Sequence, residues 1–177
     1  MGKETARDTL VLHPQVLEDV LAHCRREAPN EACGWISGVR EAARLAGGQA
    51  GAGQGGGEGV VLHGQRAHPM RNVHPNPVRR YEMDPVEQFA VMRRLRQAGE
   101  ELVAIYHSHP ATEPVPSQTD IDLAYTKDAV YVIVSLMDDE PTWRGWWLDC
   151  DTRRCEEVTV LVAAGDGAGS LKDGRGG

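Results

Sequence analysis

The sequence predicts a single α/β domain built on a mixed β-sheet flanked by helices. Three observations carry that expectation. Short apolar runs rich in β-branched residues are interleaved with stretches of helical apolar spacing, the pattern of a layered α/β domain. The 177 residues are 41% hydrophobic, which suffices for one core. The apolar run Leu102-Val103-Ala104-Ile105-Tyr106 leads directly into His107-Ser108-His109-Pro110, so a buried strand is expected to end on chemically active side chains.

Thr9-Leu10-Val11-Leu12 reads as a short strand, broken by His13-Pro14 before a helix. Val16, Leu17, Val20, Leu21 and Cys24 recur at 3.6-type spacing, with Glu18, Asp19, Arg25 and Arg26 opposite them. Pro29 ends that helix, and Glu31 stands at the entrance of an apolar strand over residues 33–39. Residues 47–59 are mostly Gly with Ala and Gln and hold no large apolar side chain, so a flexible insertion without chemistry is expected before a strand at 60–62. Residues 67–73 read as a further strand, running into the rigid loop His74-Pro75-Asn76-Pro77. A second amphipathic helix follows, with Asp84 as N-cap, Pro85 at N1, Val86, Phe89, Met92 and Leu95 inward, and Gly99 at its end. Residues 130–136 form a β-branched strand buried on at least one face. Residues 143–149 and 155–162 read as a hairpin whose Trp143, Trp146 and Trp147 fit a packing cluster better than a binding platform.

The formal charge of −7 argues against a general nucleic-acid binder, because neutralising phosphates needs a basic face. The longest apolar stretch, residues 129–137, is too short to span a bilayer, and no early apolar run follows a basic segment. A cytoplasmic protein is expected. The four cysteines, Cys24, Cys33, Cys150 and Cys155, are few and irregularly placed, so reduced thiols are the expectation. Cys150 and Cys155 flank a polar turn, consistent with a plain hairpin.

His107 and His109, two apart at a strand end, point to one face. Pro116-Ser117 opens a helix with Ser117 as N-cap and Asp120 one turn in. His107, His109 and Asp120 thus offer three metal ligands and leave a fourth position open, as a catalytic metal needs. A bland reading exists for each: Ser117-x-x-Asp120 is a capping-box pattern, and a histidine at a strand end is commonly just hydrogen-bonded. Glu31, read locally, is a solvated turn residue or a cap.

The spacing His107-x-His109-x7-Ser117-x2-Asp120 resembles the signature of the JAMM (JAB1/MPN+/Mov34) zinc metallopeptidases at every position. Pro29-Asn30-Glu31-Ala32-Cys33-Gly34 resembles the family segment that carries the general base. Residues 72–85, ending Arg80-Tyr81-x-x-Asp84-Pro85, are similar to the small bacterial branch, which includes hydrolases freeing cysteine from ubiquitin-like sulfur carriers. The resemblance spans residues 9–162 and leaves 163–177 as a disordered Gly-rich tail. It implies a curved sheet in a cytidine-deaminase-like sandwich, with Zn2+ on His107, His109 and Asp120. Glu31 is then the general base, and Ser117 stabilises the oxyanion. The implied substrate is a carrier with a Gly-Gly tail; nucleic acid and membrane are not expected as partners, and a homodimer is allowed. Rival readings are an isopeptidase acting on lysine conjugates and a non-catalytic scaffold, the latter expecting lost ligands. The chain's own Gly174-Arg175-Gly176-Gly177 ending reads most simply as Gly-rich tail.

Overall fold

The fold was established from a computed structural model, which describes residues 8–43, 59–164 and 172–173. The elements in order are β1 (Thr9–Leu12), α1 (Pro14–Glu27), β2 (Cys33–Ala43), β3 (Gly59–Met70), α2 (Pro85–Ala98), β4 (Glu101–His109), α3 (Gln118–Asp122), β5 (Val130–Ser135), β6 (Thr142–Asp149), β7 (Arg154–Val162) and β8 (Lys172–Asp173). The strands form one mixed sheet in the order β1-β3-β2-β4-β5-β6-β7-β8. β1 pairs in parallel with both β3 and β7, so the sheet curves until its two sides meet on that short strand. No helix among the described residues is long and apolar enough to cross a membrane.

Side-chain alternation divides the core into two layers. On one face α1 packs Val16, Leu17, Val20 and Cys24 against Leu10, Ile36, Leu62, Tyr106 and Val132. On the other, Val91 and Leu95 of α2 meet Trp35, Ile105, Tyr131 and Ile133. β4 and β5 lie between these layers and are buried over nearly their whole length. They run parallel and end together, with His109 beside Ser135. The site therefore sits at the C-terminal end of the two most buried strands.

Several sequence-based expectations change. Residues 60–62 and 67–70 belong to one strand, β3, and residues 71–73 fall beyond its end. The polar run His63-Gly64-Gln65-Arg66 reads as a break but is absorbed by a bulge, where the register against β2 steps from Ser37↔Arg66 to Gly38↔Gly64. α2 begins and ends as expected, on Asp84 and Gly99, and Gly99 adopts the left-handed conformation. Its inward face is different: Val91 and Leu95 are buried, whereas Val86, Phe89 and Met92 are exposed. The tail expected to lack structure includes Lys172-Asp173, whose backbone pairs with Leu161 and Val162. The rest of it from residue 165, and residues 44–58 with nearly all of the Gly-rich insertion, lie outside the described residues.

The tryptophans pack. Trp146 is buried in the α2-side layer and donates its indole N–H to the Pro114 carbonyl, and Trp147 packs on the opposite layer and reaches Asp8. All four cysteines are free thiols. Burial pushes Cys24 and Cys33 up to about 12, so both thiols are inert core groups.

Candidate active site

β4 delivers His107 and His109 to one face because its residues alternate. α3 then brings Asp120 over them. Its N-terminus is a full capping box: Ser117 Oγ accepts from the Asp120 backbone N–H at 3.2 Å, and Asp120 Oδ2 accepts from the Ser117 backbone N–H at 2.7 Å. Ser117 Oγ also donates to Asp120 Oδ2 at 2.7 Å. The capping box is thus present, and it is compatible with the ligand reading because it fixes the carboxylate that faces the histidines.

The three groups converge. His107 Nε2 lies 3.3 Å from Asp120 Oδ1, His109 Nε2 lies 3.5 Å from Asp120 Oδ2, and the two Nε2 atoms are 3.1 Å apart. His107 is fully buried and stacked under Tyr81, with ring centroids 4.6 Å apart and an interplanar angle of 25°. Sequence reading noted Tyr81 only as part of a longer similarity; its place on the imidazole depends on the loop over residues 74–83 and has no local signal. His109 Nδ1 donates to the Glu113 carbonyl at 2.9 Å, which leaves Nε2 as a lone pair. Two ring nitrogens and a carboxylate converging in this way suit a divalent cation of zinc type.

The electrostatics agree. Burial works to raise the Asp120 carboxyl, but the facing imidazoles of His107 and His109 and the hydrogen bond from Ser117 outweigh it and hold the group well below the usual carboxylate range. Burial lowers His107 and keeps it neutral. For His109 burial is opposed by Asp120, the Glu113 carbonyl and Glu31, which together raise it.

Glu31 completes the group from 76 positions upstream of His107. The antiparallel register places Cys33 opposite His107, and Ser108 N–H donates to the Ala32 carbonyl at 3.0 Å. Glu31 stands just before that rung, and its carboxyl is near enough to His109 and Asp120 to interact with both charges. Its carboxyl is pushed up to about 7, mainly by burial, with the Asp120 charge adding to the rise and His109 opposing it. The backbone of Glu31 is held as well. Its N–H donates to the Pro77 carbonyl at 2.7 Å, and its carbonyl accepts from Asn72 Nδ2 at 2.9 Å. The local reading of Glu31 as a solvated turn residue is thus replaced: the residue is 9% exposed.

Two clefts meet at Ser117. One, of about 260 Å³, is walled by Tyr81, Met83, Leu123 and Tyr125 with Arg79 and Arg80 at its edge. The other, more open, runs past His109, Thr112, Val115 and Met137.

A curved mixed sheet whose buried β4 ends on converging imidazoles, with a carboxylate capped above them and a carboxyl of raised proton affinity beside them, is a frame suited to a metal-assisted hydrolase site. The chain belongs to the prokaryotic homologs of the JAB domain, whose sequence profile matches residues 13–149. It is 37% identical over 129 residues to the CysO-cysteine peptidase of Mycobacterium tuberculosis, covering 73% of this chain and 75% of that protein. It is 32% identical over 157 residues to the desampylase of Haloferax volcanii, covering 86% of this chain and 96% of that protein. A protein of Desulfitobacterium hafniense solved in solution matches with a TM-score of 0.69 at 28% identity, over 86% of this chain and 92% of that one. The JAMM-type hydrolase expected from the motif is therefore the class to which the chain is assigned.

Proposed function

We propose that the chain is a zinc-dependent hydrolase that cuts the bond after the C-terminal Gly-Gly of a ubiquitin-like sulfur carrier, releasing cysteine or another residue. The observation that carries this reading is the buried Glu31 carboxyl, pushed up to about 7 and close enough to His109 and Asp120 to feel both. A carboxyl with that proton affinity can both take and return a proton near neutral pH. His107, His109 and Asp120 would hold the zinc, which when bound supplies Lewis acidity toward a water and the scissile carbonyl.

The chain's own groups do the rest. Glu31 accepts the proton of the attacking water and passes it to the leaving amine. Ser117 exchanges its hydrogen bond with Asp120 for one to the developing oxyanion. Tyr81 covers His107 and keeps water from its face. The two clefts that meet at Ser117 give an extended substrate room on either side of the scissile bond. A Gly-Gly tail is thin enough to lie there, and side-chain bulk near the bond would be excluded.

The release of cysteine is supported by similarity to proteins named CysO-cysteine peptidase. A second reading, an isopeptidase acting on lysine conjugates, is favoured by the longer match to the desampylase. Mass spectrometry of a carrier ending Gly-Gly-Cys, set beside a Gly-Gly-lysine conjugate, separates them. Cleavage of the first supports the proposal, and cleavage of the lysine conjugate alone overturns it in favour of the second. Loss of activity on chelation and recovery with zinc are expected in either case.

A further inference from the structure

The ladder between β2 and β4 ends in an unusual rung. Where two antiparallel strands face each other at a hydrogen-bonded pair, the residues exchange two backbone bonds. Ala32 and Ser108 hold these positions, because Cys33 pairs with His107. Ser108 N–H donates to the Ala32 carbonyl at 3.0 Å, as a ladder requires. The return bond differs. Ala32 N–H donates to the Ser108 side-chain Oγ, at 2.8 Å. A hydroxyl therefore replaces a backbone carbonyl as acceptor in the last rung before Glu31.

Ser108 is fully buried, and alternation puts its side chain on the face away from His107 and His109. There it stands near the Cys24 thiol of α1, so one hydroxyl lies between the helix, the β4 strand and the start of β2. The rung thus departs from an ordinary ladder at Ala32, the residue directly after Glu31.

We propose that Ser108 is a positioning residue for Glu31: its hydroxyl fixes the entrance of β2 and so aims the Glu31 carboxyl at the metal ligands. It touches neither substrate nor metal and acts through Ala32. The inference rests on the reading of Glu31 as the base, and its test is chosen to stand apart from that reading.

Three variants test it. Ser108→Ala removes the acceptor. Ser108→Cys keeps the size with a weak acceptor, which covers the case in which the alanine variant fails to fold. Ser37→Ala removes another fully buried hydroxyl from β2, beyond the bulge and far from the ligands, as a control for plain loss of stability. In the metal-free protein, amide exchange at Ala32 is expected to quicken at least about tenfold in the Ser108 variants, beyond any change at Ile36. With zinc loaded, kcat is expected to fall on the order of 10²-fold while KM and zinc content stay near wild type. Ser37→Ala should keep kcat.

Unchanged Ala32 exchange in the Ser108 variants overturns the proposal. So does a kcat no lower than that of Ser37→Ala, or a loss of zinc in step with activity. If wild type cleaves nothing, or Glu31→Gln is fully active, the assignment of the base fails, and the Ala32 exchange still decides whether Ser108 sets the strand entrance.

Discussion

His109 Nδ1 lies 2.9 Å from the carbonyl oxygen of Glu113, and this contact decides which nitrogen His109 turns toward His107 and Asp120. A carbonyl can only accept, so Nδ1 carries the proton and Nε2 presents its lone pair toward Asp120 and His107. The loop bearing Glu113 is itself fastened, through the Trp146 indole to Pro114 at 3.0 Å and through Ser135 Oγ to Thr112 at 2.6 Å. Trp146→Phe keeps most of the packing and removes the indole donor. It is expected to weaken zinc binding by about tenfold, at the lower end of what outer contacts to a ligand contribute. Competition against a zinc chelator measures this, and an unchanged affinity would show that Ser135 alone fixes the loop.

In the proposed mechanism Glu31→Gln removes the base and leaves the three ligands. Zinc should stay bound while kcat falls by about 10² to 10⁴; His109→Ala should lose both. The pH dependence has a definite sign. Glu31 must be ionised to accept a proton, so kcat/KM should rise with pH through a value at or below about 7, since a bound cation favours the ionised form.

The same group governs stability in the metal-free protein. The Glu31 value is raised from 4.5 to about 7, so between these the folded chain binds more protons than the unfolded one. Stability therefore falls as pH rises across that window, and the full penalty, up to about 3 kcal/mol, applies above it. Metal-free Glu31→Gln should accordingly be more stable than metal-free wild type at pH 8 and equal to it near pH 4. Urea unfolding at both values tests this, and a difference independent of pH would refute it.

The convergence of His107, His109 and Asp120 was legible in the sequence because its parts are local: two histidines on a strand and a capped aspartate one turn into the next helix. Glu31 was not legible from its neighbours. Its burial and its proximity to His109 arise from segments that meet only in the fold, and only the resemblance to a family pointed to it. Tyr81 over His107 had the same handicap. β3 was misread for a different reason, since Gly64 and its polar neighbours look like a turn and become a bulge only when β2 lies alongside.

α2 shows how far apolar spacing can mislead. Phe89 fits the inward pattern but is 63% exposed, whereas Leu95 is 6% exposed and packs into the α2-side layer. Leu95→Ala should cost about 2–5 kcal/mol through lost burial and the cavity it leaves. Phe89→Ala should cost less than about 1 kcal/mol, because little of that ring leaves water on folding. Equal losses in urea melts of the two variants would place Phe89 in the core after all.

Asn72 ties the wall of the cleft lined by Tyr81 to Glu31. Its Nδ2 donates to the carbonyls of Glu31 and Arg80, both at 2.9 Å, and its Oδ1 accepts from the amides of His74 and Glu82 at 3.0 and 3.1 Å. Every hydrogen-bonding position of the carboxamide is filled. Asn72→Ala leaves two carbonyls and two amides to water, since the site is only half-buried, so about 1–2 kcal/mol of stability should go. Activity should suffer more than stability, because Tyr81 and the cleft edge at Arg79 and Arg80 lie on the loop that Asn72 organises. Both kcat and KM should worsen, lowering kcat/KM by about tenfold or more. Asn72→Asp keeps the acceptor half and loses both donors. It should hold His74 and Glu82 in place and release Glu31 and Arg80, so that kcat falls further than KM rises. Steady-state kinetics with matched thermal melts would decide it, and wild-type kinetics in both variants would show that Pro77 alone holds Glu31 from that side.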